Sequence, residues 1–325
     1  VIDVIIPAHE KDVHTLDLCI NAVRKYVEGV QNVYVISKAK LTDSAIWYPE
    51  ENLPFSIADV ADKIGAHWRT SWYYADLLEG YASVLVDGPS DYTLILDADT
   101  IFLQPVSLIE DGKALLNSSP ADGTAPYYEY ISKIIPGLHR QHYESGVAHW
   151  ILQEKFIVKK MVETVENIHK KQFWEAALDV TCQKYEYLWP FRHPSTGDNN
   201  HETCPGKMAN FELYFTYALK NYPDRVNVKK QNSIMAYKGS LGLPGPFQKS
   251  ELSRTNTRGN VKILTDEEES KINEMNFSSL PPALSHICKL CSQKGWTTVT
   301  FQCHFWVNSI EDYQKLNDKY IKSVV

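Results

Sequence analysis

The sequence predicts an α/β fold in which a central sheet is flanked by helices. Three observations carry that expectation. An apolar β-rich run, "VIDVIIPAHE", is followed by a helix-patterned stretch, "DVHTLDLCINAVRKYV", and then by a second apolar run, "NVYVISK". That β-α-β order favours parallel strands joined by a right-handed crossover. A further apolar run, "YTLILDADTIFL", carries two acids one residue apart, Asp97 and Asp99.

The elements follow in order. The first strand stops where Pro7 opens a loop. The helix after it spaces Leu16, Ile20, Val23 and Val27 on one face, with Asp12 or Thr15 as its N-cap. "PFSIADVADKI" and "WYYADLLEGYASVLV" read as helical pieces, and "YTLILDADTIFL" as the next buried strand. A break near residue 106 marks a change of role within one domain, between a half over 1–106 and a second half over 107–325. The second half begins less regularly. "EKFIVKKMVETVENIHKK" and "FWEAALDVTCQKYEYL" have helical patterns, and "PFRHPSTGDNNHETCPGKM" reads as a long polar loop. A helix over "ANFELYFTYALKNYP" is stopped before Pro223. Next come "RVNVKK", a Gly/Pro-rich loop, an acidic helix near "TDEEESKINEM", the apolar "WTTVTFQCHFWV" and a charged C-terminal helix.

The 325 residues are enough to bury a large core, and a net charge of −7 argues against a nucleic-acid partner. No run approaches the roughly 18 apolar residues that a membrane span needs. No signal peptide heads the chain, but it begins at Val1 without Met, which leaves a trimmed leader or anchor open. Six cysteines at irregular spacing do not form a secreted disulfide framework. "HICKLC" holds a C-x-x-C, yet partners for a structural zinc are distant in sequence, so free thiols and a reducing, cytoplasmic setting are expected.

The chemistry concentrates at Asp97-Ala98-Asp99. Like charges held this close repel and lose solvation, so they call for a cation or a shared proton. On a continuing strand the two side chains project to the same side. In an open parallel sheet, ligands bind at the carboxyl ends of strands, where this pair is expected. Paired carboxylates suit Mg²⁺ or Mn²⁺ that also grips phosphate oxygens. An isolated D-x-D is otherwise a surface charge or a helix cap.

Together, "VIDVIIPAHEKD", "LILDADTIFLQP", "SGVAHWIL" and "NFELYF" resemble the nucleotide-sugar glycosyltransferases of the GT-A fold, and among them a poorly characterised bacterial and viral branch. The resemblance covers most of the chain, with its specific motifs in the N-terminal third. It implies a GT-A fold with a Rossmann-like central mixed sheet flanked by helices, with 1–106 holding a nucleoside-diphosphate sugar and 107–325 holding a glycan or other hydroxyl acceptor. It places Pro7, Ala8, His9 and Glu10 around the nucleoside, and Asp97, Ala98 and Asp99 at the cation, diphosphate and ribose. His304, in "TFQCHFWV", is then a third cation ligand, or else a buried histidine satisfied by a hydrogen bond. His149 faces the acceptor or packs. Arg69 pairs with diphosphate oxygens or lies at the surface. UDP-linked donors are favoured, with GDP-linked ones possible.

An inverting transfer needs a carboxylate to take the acceptor's proton. Glu212, at the start of its helix, is the first candidate, with the alternative that it only complements the helix dipole. Asp198 in "TGDNNHE" is the second candidate. Two other functions compete. A haloacid-dehalogenase-like phosphohydrolase would share the D-x-D, but its first motif normally opens the domain. A catalytically inactive carbohydrate-binding protein on the same scaffold is the other.

Overall fold

The computed structural model describes residues 1–65, 70–88, 90–119, 125–183, 208–231, 233–236, 288–289, 292–293 and 295–301. The expected helices at 265–275 and at the C-terminus lie outside them.

The first half runs β1 (Ile2–Pro7), α1 (Val13–Tyr26), β2 (Val30–Ser37), β3 (Ile46–Pro49), α2 (Ile57–Ile64), α3 (Thr70–Leu85), β4 (Tyr92–Leu96) and β5 (Thr100–Phe102). β6 (Ile109–Glu110), β7 (Lys113–Leu116), α4 (Ala125–Ile134), β8 (Trp150–Glu154), α5 (Lys155–His169) and α6 (Phe173–Thr181) follow. The described residues continue with α7 (Asn210–Asn221), β9 (Val226–Val228), β10 (Ser233–Ala236) and β11 (Thr298–Phe301).

A five-stranded sheet in the order β3-β2-β1-β4-β8 is the centre of the molecule. β1 pairs in parallel with β2 and with β4, and β2 pairs in parallel with β3. β8 closes the far edge antiparallel to β4. The sheet is therefore mixed and flanked by helices, as expected. Its inner strands are apolar on both faces because both are covered: Ile2, Val4, Ile5, Ile6, Leu94, Ile95 and Leu96 are all buried. The buried side chains form one contiguous cluster running from Ile2 through Phe215 to Val299.

The strand order sets up the site. From β1 the chain moves outward to β2 and β3, then returns to place β4 on the other side of β1. Such a reversal leaves a crevice between the carboxyl ends of the two strands, because their loops depart in opposite directions. Here the flanking segments are residues 7–10 and 97–99.

One expectation needs correction. "YTLILDADTIFL" is not one strand. β4 ends at Leu96, residues 97–99 form a turn closed by Thr100 N–H donating to the Asp97 carbonyl at 3.0 Å, and β5 leaves the central sheet. β5 pairs instead with β11, antiparallel, in a separate sheet ordered β10-β11-β5. α3 also departs from regularity, with Tyr81 at φ −153° and ψ 17°. The break adjoins Gly80, where an added Cβ would lie 2.8 Å from the Cβ of Asn210, so α7 crosses α3 at a point that admits no side chain.

Candidate functional site

The loop after β1 is built around Asp12. His9 N–H donates to Asp12 Oδ2 at 2.9 Å, Lys11 N–H reaches His9 Nδ1 at 3.4 Å, and the Lys11 ammonium meets Asp12 Oδ1 at 2.5 Å. Asp12 thus shapes the loop through its carboxylate and makes no side-chain cap on α1. Thr15 Oγ1 bonds the Asp12 carbonyl. Ala8 is buried, Pro7 is half-buried, and His9 and Glu10 are exposed. Burial lowers the His9 pKa against the pull of Asp12.

Across the crevice, the 97–99 turn is held from below and from the side. Cys19 of α1 lies with Sγ 3.7 Å from the Asp97 carbonyl. Asp97 N–H donates to the His149 carbonyl at 3.0 Å. His149 Nδ1–H donates to Asp97 Oδ2 at 2.9 Å, a contact made possible because Leu96 and Trp150 are register partners across β4 and β8. The Asp97 and His149 side chains stay 34% and 27% exposed, open enough to meet a ligand.

The electrostatics are those of unneutralised acids. Asp99 is pushed up to about 7, first by burial and then by the Asp97 charge, with His149 and Lys11 working the other way. Among the described residues no hydrogen-bond donor reaches its carboxylate. Burial lowers the His149 pKa, but the bond to Asp97 and the charges of Asp97 and Asp99 outweigh it and the net shift is upward. Glu79 on α3 is raised well above the usual carboxylate range by burial and by Asp97 and Asp76. Burial and the nearby acids likewise raise the Cys19 thiol.

The donor set fits a hard divalent cation: carboxylate oxygens, poorly solvated, short of positive partners. Asp97 and Asp99 are the residues that would hold one. Among the described residues, no group of three or more His, Cys, Asp or Glu side chains is gathered closely enough to hold a metal ion alone. His304 lies outside the described residues, as do Arg69 and Asp198. β11 ends at Phe301 after pairing Thr300 with Thr100, the residue next to Asp99.

Glu212 is not in the crevice. It is 1% exposed, with Oε2 accepting from Ser145 Oγ at 2.5 Å and Gly146 N–H at 2.7 Å, and Oε1 accepting from Thr216 Oγ1 at 3.0 Å. Burial raises its pKa, while these three donors pull the other way. A general base has to come within hydrogen-bond reach of the hydroxyl it serves, and here the oxygens face the core.

The sequence reading singled out 7–10, 97–99 and 149, which lie at the same end of the sheet. It missed the Asp97–His149 pair, the part of Asp12 in the first loop, and Glu79 behind the acids. The signal available for His149 was its place directly before an apolar strand, the same relation reversed that singled out Asp97 after β4. Among the described residues no helix is long and apolar enough to cross a membrane. No known protein-family model matches the sequence, and comparison with the curated proteins finds no match.

Proposed function

We propose that this chain is a Mn²⁺- or Mg²⁺-dependent glycosyltransferase of the GT-A type, moving a sugar from a nucleoside-diphosphate donor, UDP-linked by preference, to a hydroxyl acceptor. The observation that supports it most is the pair of acids on the turn leaving β4 at the point where the strand order reverses. Asp97 and Asp99 hold the cation, and the loop over 7–10 faces the nucleoside. When bound, the cation neutralises charge gathering on the leaving diphosphate. His149 fixes one oxygen of Asp97 and so sets the direction of the other.

Two alternatives weigh differently. A dehalogenase-like phosphohydrolase fits poorly, since the acid-bearing strand is the fourth of the chain. A non-catalytic carbohydrate-binding protein has one observation in its favour: His149 already occupies Asp97 Oδ2. An assay of UDP-sugar hydrolysis with and without Mn²⁺ separates the three. Mn²⁺-dependent release of UDP is expected. Release of inorganic phosphate from simple phosphomonoesters points to the hydrolase, and sugar binding without turnover points to the binding protein.

A further inference from the structure

Glu212 is a buried carboxylate whose oxygens already accept from Ser145 Oγ, Gly146 N–H and Thr216 Oγ1, turned into the core and away from an acceptor hydroxyl. Its place is fixed from behind. Asn210, two residues earlier, gives its backbone N–H to Asp76 Oδ1 at 3.1 Å and its side-chain amide to the Asp76 carbonyl at 2.9 Å. Tyr130 Oη donates to Asn210 Oδ1 at 2.9 Å. The first turn of α7 is thereby pinned to α3 and α4.

From that fixed point Glu212 grips the chain at Ser145 and Gly146. Ser145 Oγ in turn accepts from Val147 N–H at 3.1 Å. On the other side Ser145 and Ser119 exchange backbone hydrogen bonds at 2.8 Å, and Ser119 Oγ donates to the Val147 carbonyl at 2.6 Å. Gly146 presses on α7 so closely that an added Cβ would lie 2.3 Å from the Cβ of Phe215. The segment cannot slide along α7 or lift from it without breaking several of these contacts. Two residues beyond Val147, His149 meets Asp97 through both its carbonyl and its ring.

We propose that Glu212 is a positioning residue: from inside the core it fixes segment 145–149 so that His149 closes on Asp97, and it does not act as the acceptor's base. The role in catalysis rests on the glycosyltransferase reading above, but the positioning itself does not. Glu212 contributes through geometry transmitted along five residues, and its carboxylate is matched to donors instead of to a substrate.

The test reads the His149–Asp97 bond directly. In protein labelled with ¹⁵N-histidine, the Nδ1–H resonance of His149, assigned by its disappearance in His149→Gln, needs neither donor sugar nor acceptor. Glu212→Ala is expected to abolish it while the other histidine signals hold. Glu212→Gln, which keeps an oxygen for the Gly146 N–H, is expected to restore it. A resonance unmoved in Glu212→Ala overturns the proposal. So does equal loss in both variants with all histidine signals displaced, which marks general loss of packing. Where Glu212→Ala does not fold, Ser145→Ala takes its place: a shifted or broadened resonance supports the proposal, and an unmoved one overturns it. A further arm uses turnover of UDP-sugar with Mn²⁺. A hundredfold fall in kcat for Glu212→Gln at unchanged KM is the signature of a base and overturns the proposal. Wild-type protein that shows the resonance but turns over no nucleotide sugar overturns the glycosyltransferase reading alone.

Discussion

Asp99 and Glu212 are both carboxylates drawn away from water, and their surroundings differ in kind. Around Glu212 the chain supplies two hydroxyls and a backbone N–H, gathered from α7 and from a segment 66 residues away. Around Asp99 it supplies another carboxylate, and no donor among the described residues. A buried acid whose oxygens are filled by donors is part of the framework, because losing it leaves those donors stranded. A half-buried acid facing a second acid is incomplete until something positive arrives. Residue type alone does not separate the two cases. The partners do.

The largest effect that would break this comparison is at Asp99. Replacing Asp99 by Asn is expected to lower Mn²⁺-dependent UDP affinity by a hundredfold or more, read by calorimetry, with the fold retained. Unchanged affinity would remove the cation site from the account. The opposite behaviour is expected at the Glu212 anchor. Gly146→Ala has no room for its methyl against Phe215, and should cost about 3 kcal/mol, near 5 °C in thermal midpoint. A midpoint within 1 °C or so of wild type would mean that segment 145–149 gives way easily.

The pH dependence sharpens the contrast. Asp99 and Asp76 are each raised from 3.8 to about 7, mainly by burial. Between about pH 4 and 7 the folded state keeps protons that the unfolded chain has released, so stability falls as pH rises through that window. Without metal, the midpoint is expected to drop as pH rises from 5 to 8. Asp99→Asn should flatten part of that slope, and Mn²⁺ with UDP should offset it in wild type only. A flat profile in wild type would show that the acids are better compensated than their neighbours suggest.

The smallest effect lies at the opposite end of β1. Asp3 is buried there and accepts from Asn32 Nδ2 and Ser90 N–H, both at 3.0 Å. It belongs with Glu212 in kind. Asn32→Ala should cost about 1 kcal/mol in chemical denaturation and leave UDP affinity untouched. A change in UDP affinity would mean that the two ends of the strand are coupled.

How much of this could be read from sequence follows the same physics. β1, α1, β2 and β4 were legible because strands covered on both faces are apolar throughout, and a helix on a sheet has one apolar face. β3 was not. It is an edge strand with Ile46 49% and Trp47 38% exposed, so "IWYP" lacks both the buried run and the alternation that mark a strand. β6, β7 and β10 are two to four residues long and take their identity from pairing with distant segments. The 97–99 turn was hidden because the apolar pattern continues across it into β5, which is also buried but in another sheet. Asp97 was legible from its place after an apolar strand, whereas His149 and Glu212 were singled out only through the family resemblance. Nothing in "NFELYF" shows that the donors to Glu212 lie at Ser145 and Gly146.

The pairing of Thr100 with Thr300, whose hydroxyls meet at 2.8 Å, has a consequence for how the protein is made. All five strands of the central sheet lie within the first 154 residues, so that sheet has all its partners once Glu154 is made. Among the described residues, the strand directly after the two acids has no partner until β11 emerges from the ribosome, 200 residues later. A nascent chain would carry a folded central sheet beside a β5 segment still without its partner, and such unpaired strands recruit others. Arrest-peptide force measurements on nascent chains of increasing length should show two separated folding events, the later one at the length that frees Thr298–Phe301.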